Sequence, residues 1–196
     1  MPLPAKPILS ITAVFSMYDL GYDPDDIVVK VSELMVATAD SCDEQIDASI
    51  SEVLRLLRDR MAMDVVFVSE FVDGQRVIRK VEQSEGTHIL NPGDGGPLEE
   101  SWCKQVVDGR MPQFMPDASS DPVASRLLAE LPFPIGTHIS TPIVLANGEI
   151  YGTLCCFSFQ PNEAATIEDL ARLQMTAKLA AVRLKPPPRT NACLSQ

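Results

Sequence analysis

Thiols are the side chains of this sequence with the richest chemistry. There are five, Cys42, Cys103, Cys155, Cys156 and Cys193. Their odd number and irregular spacing fit neither a zinc site nor a disulfide framework, and we see no secretion signal, so reduced thiols are expected. Cys103 follows the single tryptophan, Trp102. A free thiol there can sense oxidants or contact a ligand; the alternative is a buried cysteine that acts as a small apolar side chain.

Few residues of this sequence are suited to other catalytic chemistry or to metal binding. A metal or haem site needs histidine or thiolate ligands, and the histidines are limited to His88, before a loop, and His138, at the start of a predicted strand. The glycine-rich run 93–96 lacks the preceding strand and following Lys-Ser/Thr of a phosphate-binding loop. We assign no metal and no catalytic residue, leave the cofactor unknown, and expect the chain not to be an enzyme.

The composition narrows the class of protein further. The chain has 196 residues, of which 45% are hydrophobic and 22% charged, as in a globular domain. Its net charge of −11 opposes binding to nucleic acid or to anionic membranes, which requires clustered Lys and Arg. Because no run of 18 apolar residues occurs, no membrane span is predicted, and a cytoplasmic location is expected.

The N-terminal third divides into an extension and a long helix. Residues 1–40 form an extension with a short helix that begins at Asp23. Ser41 and Glu44 then fit a capping box, and apolar residues at spacings of three and four predict a helix over 42–61.

The rest of the chain alternates strands with short helices. β-branched and aromatic residues over 65–72 and 75–81 predict a hairpin with its turn at Asp73-Gly74, and a second hairpin turns at Asn147-Gly148. Proline and glycine make 91–97 a loop. The other predicted elements are a helix over 98–107, a strand over 113–115, a helix over 121–130, strands over 137–145 and 150–159, and a helix over 163–184 capped by Asn162 or by Thr166 with Asp169.

This order predicts an α+β fold. A central antiparallel sheet of about five to six strands carries the terminal helices on one face, and short helices and loops cover a pocket on the other. The predicted domain spans 41–185, and residues 186–196 are expected to form a flexible tail.

Strand alternation selects a pocket lining. Side chains two residues apart share a face, and the more aliphatic face should meet the helices. Glu70 and Arg79 are further charged groups expected near the pocket. On the last strand, Tyr151 and Thr153 should share a face with Cys155, whereas Cys156 points the other way. The predicted ligand-binding residues are Phe67, Ser69, Phe71, Trp102, Cys103, Asp117, Tyr151 and Thr153.

Three motifs in this order resemble the GAF domain family over about residues 43–184. The run 139–156 is similar to the family's hairpin, with Pro142 before the turn and Gly152-Thr153-Leu154 after it. The run 107–118 resembles its short helix, Gly-x-Pro turn, buried strand and Asp-Ala exit, and the opening helix with strand 64–72 is the third match. The run 100–109 resembles GAF modules of bacterial signalling proteins that carry cyclic-dinucleotide output domains.

The resemblance implies a small-molecule-binding regulatory or sensory domain in bacterial-type signal transduction, with a signalling output protein as partner. The family's cyclic-nucleotide signature is missing, and the helix after the Asp-Ala exit has no Cys or His for bilin attachment. One branch of the family, free methionine-(R)-sulfoxide reductase, is catalytic. The alternative is therefore a thiol redox enzyme or sensor that resembles this branch and uses Cys103, although the other cysteines of that reductase are missing here.

The last predicted helix offers a partner surface. Its apolar residues recur near every seventh position, and its alanines allow close approach of a second helix. This stripe either covers the sheet or forms a homodimer through the terminal helices, which suits the family. A domain that only dimerises, with a vestigial pocket, is therefore a third hypothesis.

Overall fold

The computed structural model describes residues 43–184, which form one six-stranded sheet with helices on both faces. All strand pairs are antiparallel, and the strand order across the sheet is β3-β2-β1-β6-β5-β4. The predicted helix before residue 40, the Ser41 cap and the tail lie outside these residues. The strands are β1 (Val65–Val72), β2 (Gln75–Gln83), β3 (Gly95–Pro97), β4 (Phe114–Met115), β5 (His138–Val144) and β6 (Ile150–Phe157), and the helices are α1 (Asp43–Arg60), α2 (Trp102–Val107), α3 (Pro122–Leu128) and α4 (Ile167–Arg183).

The two long helices, α1 and α4, cover one face of the sheet, which we call the helix face. Their apolar stripes meet alternate residues of the central strands, because side chains on a strand point to opposite faces in turn. This core excludes water from the middle of the domain. It includes Leu54, Leu57, Val66, Ile139, Leu154 and Leu173.

The opposite face, which we call the short-helix face, carries α2, α3 and the loops between them. Its core takes the other set of strand residues, such as Phe67, Ile78 and Phe157. Cys155 belongs to this face and Cys156 to the helix face, as strand alternation predicts. The predicted α+β class and layer arrangement are therefore confirmed.

Two predicted elements differ in the middle of the chain. Residues 95–97, predicted as loop, form the edge strand β3, because the Ile78 amide donates to the Asp94 carbonyl and the Gly93 amide to the Ile78 carbonyl, both at 2.8 Å. The predicted helix over 98–107 is interrupted at Ser101. The Ser101 hydroxyl accepts from the Lys104 amide at 3.2 Å and so starts α2 anew.

The last helix begins later than position 163 because of its cap. The Asp169 carboxylate accepts from the Thr166 amide at 2.9 Å, which selects the second of the two predicted caps. Asn162 has another role. Its side-chain amide donates to the carbonyls of Met61 (3.1 Å) and Ala62 (3.2 Å), and this ties the start of α4 to the end of α1.

Candidate functional site

A cluster of small polar side chains lies at the centre of the short-helix face. Four come from adjacent strands, since Ser69 pairs with Thr153 across β1 and β6, and Cys155 pairs with Ser140 across β6 and β5. The fifth, Cys103, comes down from α2. We call these five residues the hydroxyl–thiol patch. They are between 0% and 3% exposed.

The patch is held together by its own hydrogen bonds. The hydroxyls of Ser69 and Thr153 are 2.8 Å apart, and the Cys155 thiol contacts the hydroxyls of Ser140 at 3.0 Å and Thr153 at 3.1 Å. Ser69 donates to the Cys103 sulfur at 3.6 Å, and the sulfurs of Cys103 and Cys155 are 3.8 Å apart. Because a buried polar group without a partner is costly, these contacts explain how five polar residues fit within a core.

The ionisation of the two thiols differs sharply. The hydrogen bond with Cys155 lowers the pKa of Cys103 to about 6; Thr153, the positive charge of Arg76 and Ser69 act in the same direction, and burial opposes them. Burial raises the pKa of Cys155 well above that of a free thiol. Cys103 is therefore the more acidic of the two thiols. Burial also raises the pKa of Cys156, on the other face.

An unusual ring pair lies beside the patch. Trp102, the residue before Cys103 on α2, packs edge-on against His138, with ring centroids 5.2 Å apart and an interplanar angle of 65°. Trp102 Nε1 and His138 Nδ1 are both buried without a hydrogen-bond partner. Burial lowers the pKa of His138 to about 4, so its imidazole is neutral at physiological pH. These are two polar groups that a bound molecule can satisfy.

The predicted pocket residues fall into two groups. Ser69, Cys103 and Thr153 form part of the patch, and Trp102 stands next to it. Phe67 and Phe71 pack on the same face, as predicted, with Phe67 edge-on to Phe157 at 6.4 Å. The assignment of β1 residues to faces was correct.

Asp117 lies apart from the patch in a local turn. Its carboxylate accepts from the amide of Ser119 at 2.9 Å and from the Ser119 hydroxyl at 2.7 Å. The side chain thereby caps the short 3-10 turn Ala118–Ser120. This local role accounts for both of the contacts that its carboxylate makes.

The predicted placement of Tyr151 is wrong. Tyr151 packs against the helix-face core instead of beside Thr153. Ile143 pairs with Gly152 and Val144 with Ile150, so Tyr151 is the extra residue of a β-bulge, and the bulge breaks the alternation.

Glu70 and Arg79 lie near Tyr151 and not at the patch. They form an ion pair with each other, and both interact electrostatically with the Tyr151 hydroxyl. Burial, followed by the charge of Glu70, raises the pKa of Tyr151. The predicted placement of these two charged groups near the pocket is therefore also wrong.

Sequence reasoning missed Ser140 and the packing of His138 as part of this site. His138 does open β5 as predicted, but it is only 2% exposed because it lies between Met115 and Phe157 on neighbouring strands. A usable signal was present. Ser69, Ser140 and Thr153 each interrupt an apolar strand with a hydroxyl, and three such interruptions at interior positions indicate a shared polar site.

A glycine sets the spacing of the two strands that carry Ser69 and Thr153. A Cβ atom built on Gly152 would lie 1.9 Å from the Ser69 carbonyl oxygen, well inside van der Waals contact. Gly152 therefore permits the close approach of β1 and β6. This is the physical reason for glycine at the first position of the Gly-x-Leu motif.

Two open grooves flank the core. A groove of about 470 Å³ lies on the short-helix face between α3 and residues 131–135. Phe133 of this segment stacks on Phe157, with centroids 5.8 Å apart and rings nearly parallel at 4°. The second groove, of about 360 Å³, lies between β5 and α4 on the helix face.

Within residues 43–184 no group of three His, Cys, Asp or Glu side chains is arranged to hold a metal ion.

Solved structures with the same fold come from several different proteins. A GAF domain of an Acinetobacter phosphoenolpyruvate-protein phosphotransferase is 14% identical, with a TM-score of 0.63 over 81% of this chain and 92% of that one. A phycocyanobilin-bound GAF domain of a cyanobacterial phytochrome is 13% identical, with a TM-score of 0.64 over 83% and 93%. The GAF domain of A. aeolicus nlh2 in an inactive state is 18% identical, with a TM-score of 0.57 over 80% and 91%.

The sequence comparisons point to the same family. Among the helices of residues 43–184, none has the length and apolar character needed to cross a membrane. No curated protein matches the chain significantly.

The GAF domain model matches residues 45–184, well over half of the 196 residues. The chain therefore belongs to the GAF domain family.

Proposed function

We propose that this chain is a regulatory domain that binds a small molecule at the hydroxyl–thiol patch, beneath α2. The observation that carries the proposal is the pair of buried, unpartnered nitrogens, Trp102 Nε1 and His138 Nδ1. Leaving a buried polar group unsatisfied costs about 1–3 kcal/mol. Two such groups, from different elements and beside a cluster of hydroxyls, are explained if a ligand provides their partners.

The chemistry of the site favours an uncharged or weakly charged polar ligand. The indole N–H donates, the neutral imidazole can donate or accept, and the patch hydroxyls do both. The patch itself offers no cation to neutralise a multiply charged ligand, and its burial would penalise one. Binding without turnover is the proposed activity.

A thermal-shift screen with metabolites, cyclic nucleotides, haem and bilins tests this proposal. A ligand at about 100 times its Kd adds about 2.7 kcal/mol to the stability of the native state. Thr153→Val should abolish the shift, because it removes a hydroxyl from the patch. Thr141→Val is the matched control, since Thr141 is a buried threonine on the neighbouring strand and lines the groove on the other face. Equal loss of the shift in both variants would contradict a site at the patch.

A homodimer through the terminal helices is the second part of the proposal. On α4, Ile167, Met175 and Val182 are 63%, 40% and 79% exposed. At 100° per residue they fall within an arc of about 80°, so they form one apolar stripe on the side away from the sheet. A second copy of the chain can cover this stripe symmetrically. Light scattering of the full chain distinguishes dimer from monomer.

The physiological setting follows from these two parts. We propose a sensory role in bacterial-type signal transduction inside the cytoplasm, in which ligand occupancy beneath α2 changes the contacts of α4 with a second copy or with a signalling output protein. The binding screen repeated at dilutions that separate the dimer tests this coupling, because linked equilibria must shift each other.

A further inference from the structure

The two thiols of the patch lie close enough to react with each other. Cys103 Sγ and Cys155 Sγ are 3.8 Å apart, on α2 and β6, and their residues are 3% and 0% exposed. A disulfide requires about 2.05 Å between the sulfurs, so the two atoms must approach by a little under 2 Å. Closing that distance requires rotation about the side-chain bonds and a small shift of the six-residue helix α2.

The surroundings give the two sulfurs different roles. The Cys103 sulfur accepts a hydrogen bond from the Ser69 hydroxyl at 3.6 Å and lies 3.8 Å from the Cys155 sulfur. The positive charge of Arg76 lowers the pKa of Cys103, whereas burial and the contact with Cys103 raise the pKa of Cys155. A more acidic thiol in contact with a less acidic one is the pairing that nucleophilic attack followed by resolution uses.

We propose that Cys103 and Cys155 form an intramolecular disulfide when the domain meets a small hydroperoxide. The Cys103 thiol gives up its proton, the resulting thiolate attacks one peroxide oxygen, the O–O bond breaks, and the departing oxygen takes up that proton to leave as water or alcohol. Cys103 is then a sulfenic acid. The Cys155 sulfur attacks the Cys103 sulfur, the S–O bond breaks, and hydroxide leaves as water with the proton from Cys155. Overall the two thiols lose two electrons and two protons, and one hydroperoxide is reduced.

The bond would join α2 covalently to the centre of the sheet. It would also remove two of the five side chains of the patch from hydrogen bonding to a ligand. Oxidation is therefore expected to weaken ligand binding at the patch. This consequence rests on the proposed function, whereas formation of the disulfide does not.

The test is a hydrogen peroxide titration of the full-length protein under native conditions, followed by proteolysis and mass spectrometry without reduction. The expected product is a linked pair of peptides containing Cys103 and Cys155, with the loss of two free thiols per chain. Reduction should restore both thiols. Cys103→Ser should abolish peroxide consumption, and Cys155→Ser should leave a sulfenic acid on Cys103 that dimedone traps.

Cys156→Ala is the matched control, because Cys156 is the next residue but faces the helix-face core. This variant should form the linked peptides at the wild-type rate. Circular dichroism shows whether each variant is folded. If a variant is not folded, the linked peptides found in the oxidised wild-type protein decide whether the disulfide forms. Oxidation of Cys103 that never links to Cys155, or no oxidation before unfolding, would overturn the proposal. If the bond forms and ligand binding is unchanged, only the predicted weakening of binding is wrong.

Discussion

The indole of Trp102 meets the imidazole of His138 edge-on at 5.2 Å, and the nitrogen of each ring that faces the interior has no hydrogen-bond partner. One ring comes from α2 and the other from the first residue of β5. The pair therefore connects the covering helix to the sheet at the place where the patch begins. Its unsatisfied nitrogens make both the stability and the binding properties of this face sensitive to single substitutions.

Acid should destabilise the domain through His138. Its folded-state pKa of about 4 lies below the unfolded value of about 6.5, so the unfolded chain binds more protons between these values. The contribution of His138 to stability is complete above pH 6.5 and falls by about 1.4 kcal/mol per pH unit as the pH drops toward 4. The free energy of unfolding is measured by urea denaturation at pH 6.5, 5.5 and 4.5 for the wild type and His138→Phe. It should fall less steeply with decreasing pH in the variant.

The second histidine provides the control for this experiment. His88 is exposed, and His88→Phe shows how far removing any histidine changes the dependence of stability on pH. Comparing the two variants cancels the titration of carboxylates, which all three proteins share. Equal slopes in wild type and His138→Phe would mean that His138 is not buried in its neutral form.

Gly152→Ala should be among the most destabilising single substitutions in the domain. The added methyl would overlap the Ser69 carbonyl oxygen and force β1 and β6 apart. We expect a loss of about 3 kcal/mol or more in the free energy of unfolding, the range of severe core substitutions. Chemical denaturation measures it.

A second strand glycine offers the matched control. At Gly96, on β3, a built Cβ meets no atom within 4 Å, and Gly96→Ala should change the stability by less than about 0.5 kcal/mol. Similar losses for both glycines would argue against the close approach of β1 and β6.

The α4 stripe should control the oligomeric state. Val182 is 79% exposed, so Val182→Glu should leave the folded monomer intact and introduce a charge into the proposed dimer contact. Light scattering should show the wild type as a dimer and the variant as a monomer at the same concentration. Arg126→Glu, at an exposed position of α3 away from the stripe, indicates how much any charge change contributes. A wild-type monomer at high concentration would rule out this part of the account.

Much of the fold follows from local patterns in the sequence. The helix with Leu54 and Leu57 on one face, the turn at Asp73-Gly74 and the two hairpins are set by spacing and turn chemistry, which act within a few residues. Asp73 and Gly74 indeed have positive φ values of 50° and 70°. These features were predicted because no distant contact is needed to decide them.

The site was harder to predict because it depends on pairing between distant segments. Strand parity placed Ser69 and Thr153 on the correct face, but a bulge at Tyr151 reversed the next side chain along β6. A single extra residue of this kind depends on how β5 and β6 pair, which no local pattern reveals. The burial of His138 likewise depends on β4 and β6 on either side of it.

Binding of a small molecule at the hydroxyl–thiol patch is the central claim, and the single tryptophan offers the most direct measurement of it. Trp102 is the chain's one indole and lies at the patch, so its fluorescence reports on this site alone. The emission of the wild type is titrated with each compound that raises the melting temperature, and Thr153→Val and Thr141→Val are titrated alongside. The account predicts a saturable emission change in the wild type and Thr141→Val that is lost in Thr153→Val. A thermal shift with no change in Trp102 emission, or a change that Thr153→Val does not affect, would contradict it.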